Sequence, residues 1–198
     1  LSVAVNTVVN NTTAYISGSE VSAGHDLTLD AENLSVLGSL SVGGQAAVYA
    51  AVGGAVGVNT VANTTSAFIT GLGNASACKV TADNIDIIAN DLSVSGSVTG
   101  AINGAAFAAV GGAVSVSTIA DTVEAYIDSS TVVCSDELAI SADNLAVIGN
   151  IAISAQGAIA GVGGSVAVST LANTTNAYIA GSDITSGSIA ITAEDNSV

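Results

Sequence analysis

The chain has 198 residues, of which 49% are hydrophobic and only 3% aromatic, and it contains no Pro, Met or Trp. Sixteen acidic residues against one Lys give a formal charge of −15, which excludes binding to nucleic acid and to anionic membranes because phosphates would find no cations. Ala, Val and Ile dominate the apolar residues. We therefore expect a narrow, regular interior rather than the irregular core of a compact globule.

A repeat is the main feature of the sequence. Four segments align without gaps from residues 1, 54, 112 and 164: LSVAVNTVVNNTTAYI, GAVGVNTVANTTSAFI, GAVSVSTIADTVEAYI and GSVAVSTLANTTNAYI. The match continues downstream of each segment. We divide the chain into copies 1–53, 54–111, 112–163 and 164–198, and we expect the last to be truncated and the whole to be one segment of a longer array.

Each copy begins with alternating apolar and polar residues, as in GAVSVST, and alternation at period two predicts strands. Long stretches without charge follow, one of them between Leu92 and Ala120, and each is long enough to cross a bilayer. Because their apolar residues alternate among Gly, Ser, Thr and Asn, we reject transmembrane helices and predict that the chain does not span a membrane.

Aligned positions hold one residue type in every copy, which is typical of stacked coils. Every aromatic residue falls in one of two columns, and the second of these holds Tyr49, Phe107 and the aligned Ile159. The columns that we single out as structural are Thr7, Thr60, Thr118 and Thr170; Asn10, Asn63, Asp121 and Asn173; and Tyr15, Phe68, Tyr126 and Tyr178.

The absence of Pro and the regular Gly positions predict strands that bond to a coil above and a coil below. Gly38, Gly96, Gly149 and the Gly-Gly pairs are expected at tight corners with positive φ. A column of Asn at a corner can form a ladder of side-chain hydrogen bonds if the coils are adjacent.

Three coils of about eighteen residues per copy fit best, with two of about twenty-six as the alternative. Three coils would make each copy roughly 14 Å long and keep the aligned aromatic rings apart. Val, Ile, Leu and Ala are expected inside each coil.

Most acidic residues recur in the middle third of each copy, so stacking predicts an acidic stripe on one side. The stripe could hold Ca²⁺, for which carboxylates are suitable ligands, but solvation is the simpler interpretation.

His25 is the one histidine, and its position in the repeat predicts an exposed corner. Cys78 and Cys134 occupy non-equivalent positions and are expected as free, buried thiols. Asn-x-Ser/Thr triplets begin at Asn10, Asn11, Asn33, Asn63, Asn74 and Asn173, as chance allows in so Asn- and Thr-rich a chain.

Two signatures, GGAVGVNTVANTTSAFITG with its variants and EVSAGHDLTLDAEN, resemble the repeats of bacterial filamentous adhesins, large exoproteins of the filamentous haemagglutinin-like and leukotoxin types. The resemblance covers essentially the whole chain. It implies a right-handed parallel β-helix exported to the cell surface, a role as stalk or adhesive fibre, and no catalytic residues.

We therefore predict an all-β, right-handed parallel β-solenoid that acts as an extracellular structural or adhesive rod and not as an enzyme. Its expected partners are neighbouring repeats, like chains end to end or side by side, and a host or cell-surface glycan or protein. No cofactor is expected. The alternative is a ligand-binding solenoid for Ca²⁺, a glycan or ice, which would use the acidic stripe or the Thr and Asn face.

Overall fold

The computed structural model describes residues 1–73 and 78–198, so the Asn74 triplet lies outside the described residues. Over these ranges the chain forms sixteen strands and no helix, and hence no helical segment that could cross a membrane. The strands assemble into four parallel sheets, each with one strand from every copy. The all-β, parallel prediction is confirmed.

The sheets are labelled A to D in the order in which the chain visits them. Sheet A contains β1 (Ser2–Val8), β5 (Ala50–Val61), β9 (Ala108–Ile119) and β13 (Ala160–Leu171). Sheet B contains β2 (Asn11–Ser17), β6 (Thr64–Thr70), β10 (Thr122–Asp128) and β14 (Thr174–Ala180). Sheet C contains β3 (Glu20–Ser22), β7 (Lys79–Ala82), β11 (Thr131–Cys134) and β15 (Asp183–Thr185). Sheet D contains β4 (Leu27–Ala47), β8 (Ile85–Ala105), β12 (Glu137–Gly157) and β16 (Ser188–Asp195).

Each copy of the repeat makes one coil, not three and not two. Thr7 pairs with Thr60, which pairs with Thr118 and then Thr170 in the same register. Direct pairing brings equivalent rings together: the centroids of Phe68 and Tyr126 are 4.8 Å apart. The predicted separation of the aromatic rings is therefore wrong, and one copy advances the stack by about 4.8 Å.

The Gly columns were expected at corners, and this too is wrong. Gly38, Gly96 and Gly149 pair with one another inside the long strands of sheet D. The Gly-Gly pairs lie inside sheet A strands. Among the described glycines, positive φ occurs at Gly18, Gly73 and Gly181. Most Gly residues in this chain therefore do not serve to turn it.

One half of each coil has an ordinary apolar core. This half consists of sheets B and C and the first part of the sheet D strands. Their inward side chains, among them Ile69, Val80, Ile85 and Ile127, form a cluster with almost no exposed surface. Polar and acidic side chains such as Asp86 alternate with them on the outside. We call this part the thick half.

The other half is thinner. It consists of sheet A and the sheet D strands from Leu34, Leu92 and Leu145 onwards, and the chain turns between the two layers at residues 48–49, 106–107 and 158–159. A Cβ placed on Gly57 would lie 2.6 Å from Thr99 Cγ2, and one on Gly43 would overlap the Gly54 carbonyl oxygen. The layers thus approach more closely than the usual sheet spacing of about 10 Å. We call this part the thin half.

The thin half reverses the expected pattern of burial. Ser93, Ser97 and Thr99 point inwards and are buried, while Val98 and Ile102 of the same strand point outwards and are 41% and 61% exposed. The prediction that apolar side chains fill each coil holds for the thick half, whereas in the thin half it holds only for Ala and for a small cluster around Val61, Ile119 and Ala146. Ser, Thr, Asn and Ala line most of the remaining interior, because the narrow gap between the layers leaves little room for large apolar side chains.

Candidate functional site

A groove of about 670 Å³ lies on the outer surface of sheet D, at the border between the two halves. It crosses all four copies. Its lining includes a polar column, Glu32, Asn90, Asp143 and Glu194, and beside it a leucine column, Leu34, Leu92 and Leu145. Because the strands are parallel and in register, both columns run along the stacking direction.

The polar column carries most of the groove's charge. Asp143 pairs directly with Glu194 on the next strand, while the uncharged Asn90 separates Asp143 from Glu32. Like charges directly opposite on neighbouring strands repel each other. The groove therefore presents negative charge along one wall and an apolar surface along the other.

Behind the groove, one member of the predicted acidic stripe lies inside the protein. Asp91 is 3% exposed and accepts hydrogen bonds from the Asn33 amide at 2.8 Å, the Thr65 hydroxyl at 2.8 Å and the Ser93 hydroxyl at 2.9 Å. The expectation that the acidic residues of the middle third, Asp91 among them, form one outer stripe is therefore wrong for Asp91. The carboxylate links sheet B to sheet D where the apolar core ends.

The column that contains Asn63 and Asp121 extends this hydrogen-bond network to the side of the coil that faces sheet D. The side-chain oxygens of Asn63, Asp121 and Asn173 accept from the backbone N–H of the residue one coil earlier, at 3.3, 3.0 and 3.1 Å. The amide of Asn63 also donates to Ser35 and Ser93 on sheet D. The ladder therefore uses backbone amides as donors along the stack and side-chain amides across the coil.

Asp121 stands where the other copies have Asn. It is 1% exposed, and its Oδ2 has no hydrogen-bond partner within the described protein. Burial raises the pKa of Asp121 above its ordinary value, with a further contribution from the nearby Asp91, while the hydrogen bond from the Asn63 backbone N–H opposes the shift. Two carboxyl groups thus share the interior, and burial disfavours the charged form of Asp121 there.

The Tyr15, Phe68, Tyr126 and Tyr178 column forms a continuous stack of rings on the outside of sheet B. Successive centroids are 5.3, 4.8 and 5.0 Å apart and the planes are within 13° of parallel. Partial burial raises the pKa of Tyr126, and the neighbouring Tyr178, Glu124 and Asp128 add to the effect. The second aromatic column, at the turn of the thin half, stacks Tyr49 on Phe107 at 5.9 Å.

The remaining sequence candidates lie apart from the groove. His25 is 92% exposed, with its Nδ1 3.3 Å from Asp83 Oδ2, as expected of a solvated corner. Cys78 and Cys134 are buried and free, as predicted. Thr60 and its column partners point outwards at the edge of the thin half. Within residues 1–73 and 78–198, no three His, Cys, Asp or Glu side chains are grouped closely enough to hold a metal ion.

Sequence reasoning missed the internal partners of Asp91 and the groove itself. Asn33, Asp91 and Asn144 do align, and a polar residue at an inward position after Ile85, Ile87 and Ala89 is a signal that could have placed them inside. Chemically, the arrangement offers carboxylates and amides beside an apolar strip, a combination that can contact a ligand through both polar and apolar groups. Comparison with family models, with curated proteins and with solved structures finds no match to this chain.

Proposed function

We propose that the chain is a segment of a right-handed parallel β-solenoid that forms the structural and adhesive body of an extracellular bacterial surface protein, without catalysis. The observation that carries the proposal is the in-register pairing of every sheet from one copy to the next. Such stacking can continue through any number of copies. The right-handed path is the one that parallel strands joined by crossovers adopt almost without exception.

The coil geometry indicates how such a body works. A copy of about 53 residues adds only about 4.8 Å of length, so the repeat is a poor spacer but generates broad faces. An adhesive role uses those faces, because each outward column presents the same side chain at every coil. The broad sides, rather than the length, are therefore the proposed working surfaces.

Small-angle scattering and electron microscopy on chains with added copies test this proposal. We expect each additional copy of residues 112–163 to lengthen the particle by about 4.8 Å while its cross-section stays constant. An increase of roughly 14 Å per copy, or a cross-section that grows with copy number, would contradict the stacked-coil body.

The groove favours a second candidate, a ligand-binding solenoid. Its acidic column and its leucine column run across four coils, which suits an elongated ligand such as a glycan, or a row of cations. Thermal melting in CaCl₂ and in NaCl at equal ionic strength distinguishes specific cation binding from simple screening. Equal stabilisation by both salts supports simple screening of the acidic columns. A much larger increase of the melting temperature in CaCl₂, lost in the Asp143→Asn variant, would favour cation binding.

A further inference from the structure

The outward surface of the thin half carries no polar side chain between its turn and the Thr column. On β9 the outward positions before Thr118 are Ala108, Val110, Gly112, Val114 and Val116. On the second part of the sheet D strands the outward residues are, copy by copy, Leu34, Val36, Gly38, Leu40, Val42, Gly44 and Ala46; Leu92, Val94, Gly96, Val98, Gly100, Ile102 and Gly104; and Leu145, Val147, Gly149, Ile151, Ile153, Ala155 and Gly157.

This exposure is not caused by the open ends of the stack. Strands β8 and β9 have a paired strand on each side, yet Ile102 is 61% exposed, Val110 46% and Val114 36%. A few scattered apolar residues are normal on a protein surface, but contiguous apolar columns across two sheets indicate a surface that contacts something apolar.

The apolar surface wraps around three sides. It covers sheet A, the facing part of sheet D and the turn between them, where Tyr49, Phe107 and Ile159 are all more than half exposed. A folded partner or a second copy would cover one flat face and leave the opposite face and the turn in water. A surrounding apolar medium covers all three.

Polar groups of the thin half are directed inwards instead. The amide of Asn59 donates across the gap to the Gly96 carbonyl at 2.9 Å, and that of Asn150 donates to the Val168 carbonyl at 2.8 Å. Ser117 in turn donates to Asn150 at 2.6 Å. In the inner strands β8 and β9, backbone groups are paired along the sheets on both sides, as a segment in hydrocarbon requires. Every Asp, Glu, Lys and His of the sequence lies outside the thin half.

From these observations we propose that the thin half inserts, turn first, into the hydrocarbon of a lipid bilayer, while the thick half stays in water. From Phe107 to Val116 the apolar layer is about nine residues, or roughly 30 Å, deep, which matches the hydrocarbon thickness of a bilayer. With a formal charge of −15, the thick half favours zwitterionic over anionic lipids. The inference does not depend on the proposed surface-filament role, since it concerns only which surface meets lipid.

The absence of Trp from the sequence allows a direct test with single-Trp variants. Val98→Trp and Val110→Trp place the reporter on opposite faces of the thin half. Ile88→Trp places it on the outward face of the thick half, ten positions before Val98 on the same strand, as the matched control. Phosphatidylcholine vesicles should shift the emission of the first two to the blue, and brominated acyl chains should quench it, with no change in the control.

The outcomes distinguish lipid from a protein partner or a second copy on the apolar surface of the thin half. Quenching on both faces supports insertion. Quenching on one face only, or a blue shift without vesicles that grows with protein concentration, would show docking of one face or self-association and would overturn the proposal.

Flotation of the unaltered chain with the same vesicles gives a second readout that depends on no Trp variant. We expect binding that is insensitive to salt and weaker on anionic vesicles. Ile102→Asp should reduce it at least about tenfold, whereas Ile88→Asp should not, because a carboxylate is costly only where hydrocarbon surrounds it. Failure of the unaltered chain to float would also overturn the proposal, without bearing on the stacked-coil body.

Discussion

Asp121 is the acidic member of a column that otherwise holds Asn10, Asn63 and Asn173. Its Oδ1 accepts the Asn63 backbone N–H, as an amide oxygen would, but its buried Oδ2 has no partner within the described residues. Asp121→Asn keeps the first bond and supplies an amide that can reach Ser93. We predict stabilisation by roughly 1 kcal/mol at pH 7, measured by chemical denaturation.

The gain from Asp121→Asn should depend on pH. Because the folded-state pKa of Asp121 is raised above 3.8, the folded protein holds its proton more tightly than the unfolded chain does. Stability of the native Asp121 protein therefore falls as pH rises from about 4 through the raised pKa. The difference between variant and parent should grow over that interval and then level off. A difference that stays constant from pH 4 to 7 would contradict a buried carboxyl group.

Individual columns were predictable from the sequence, but the side of the sheet on which they lie was not. Alternation assigns Val98 and Thr99 to opposite faces without saying which face is inside. Hydrophobicity suggests that Val98 is buried, and the structure shows the reverse. The deciding quantity is the gap between the layers, which depends on Gly43 meeting Gly54 and Gly57 meeting Thr99 across the coil. Such contacts join residues that the repeat alignment does not pair.

Two glycines on strand β4 test this narrow gap. A Cβ on the inward Gly43 would overlap the Gly54 carbonyl, whereas one on the outward Gly38 would meet nothing within 4 Å. We predict that Gly43→Ala destabilises the protein by about 1–3 kcal/mol, as overpacking does. Gly38→Ala should be neutral or slightly stabilising, since it restricts the unfolded chain. Equal unfolding free energies for the two variants would mean that the layers are further apart.

At the scale of elements, the length of the strands decided the number of coils. The expectation of three coils rested on strands of about five residues, whereas β4, β8 and β12 each run for 21 residues. Nothing in the alternation of residues 85–105 marks an end, so the pattern itself was consistent with one long strand. Register then followed from the alignment, because matching residues of successive copies pair directly.

The ring stack on sheet B contributes to the stability of the stacked strands. Phe68 contacts Tyr15 on one side and Tyr126 on the other, with centroids 5.3 and 4.8 Å away. Phe68→Ala removes both stacked pairs, and we predict a loss of about 1–3 kcal/mol in unfolding free energy. Tyr15→Ala removes one pair and should cost about half as much. A loss for Phe68→Ala no greater than that for Tyr15→Ala would show that the stack contributes little.

For the whole molecule, the two halves of the coil divide the chemistry between them. The thick half has the main apolar core and all the charge, while the thin half has a mixed interior of Ser, Thr, Asn and Ala and an uncharged apolar exterior. The division was present in the sequence as charge-free stretches, but it became a spatial one only when direct stacking aligned those stretches on one side.

The stack has open strand edges at both ends, where β1 and β13 of sheet A each lack one neighbour. Unpaired edges bind further strands, so we predict reversible end-to-end association of the chain, measured by sedimentation equilibrium. Ser169→Lys should abolish it, because Ser169 points inwards on β13 and a docked coil would bury the ammonium group. Thr170→Lys, on the outward side of the same strand, is the control and should associate like the parent. If both variants associate equally, contact occurs through the broad faces rather than the ends.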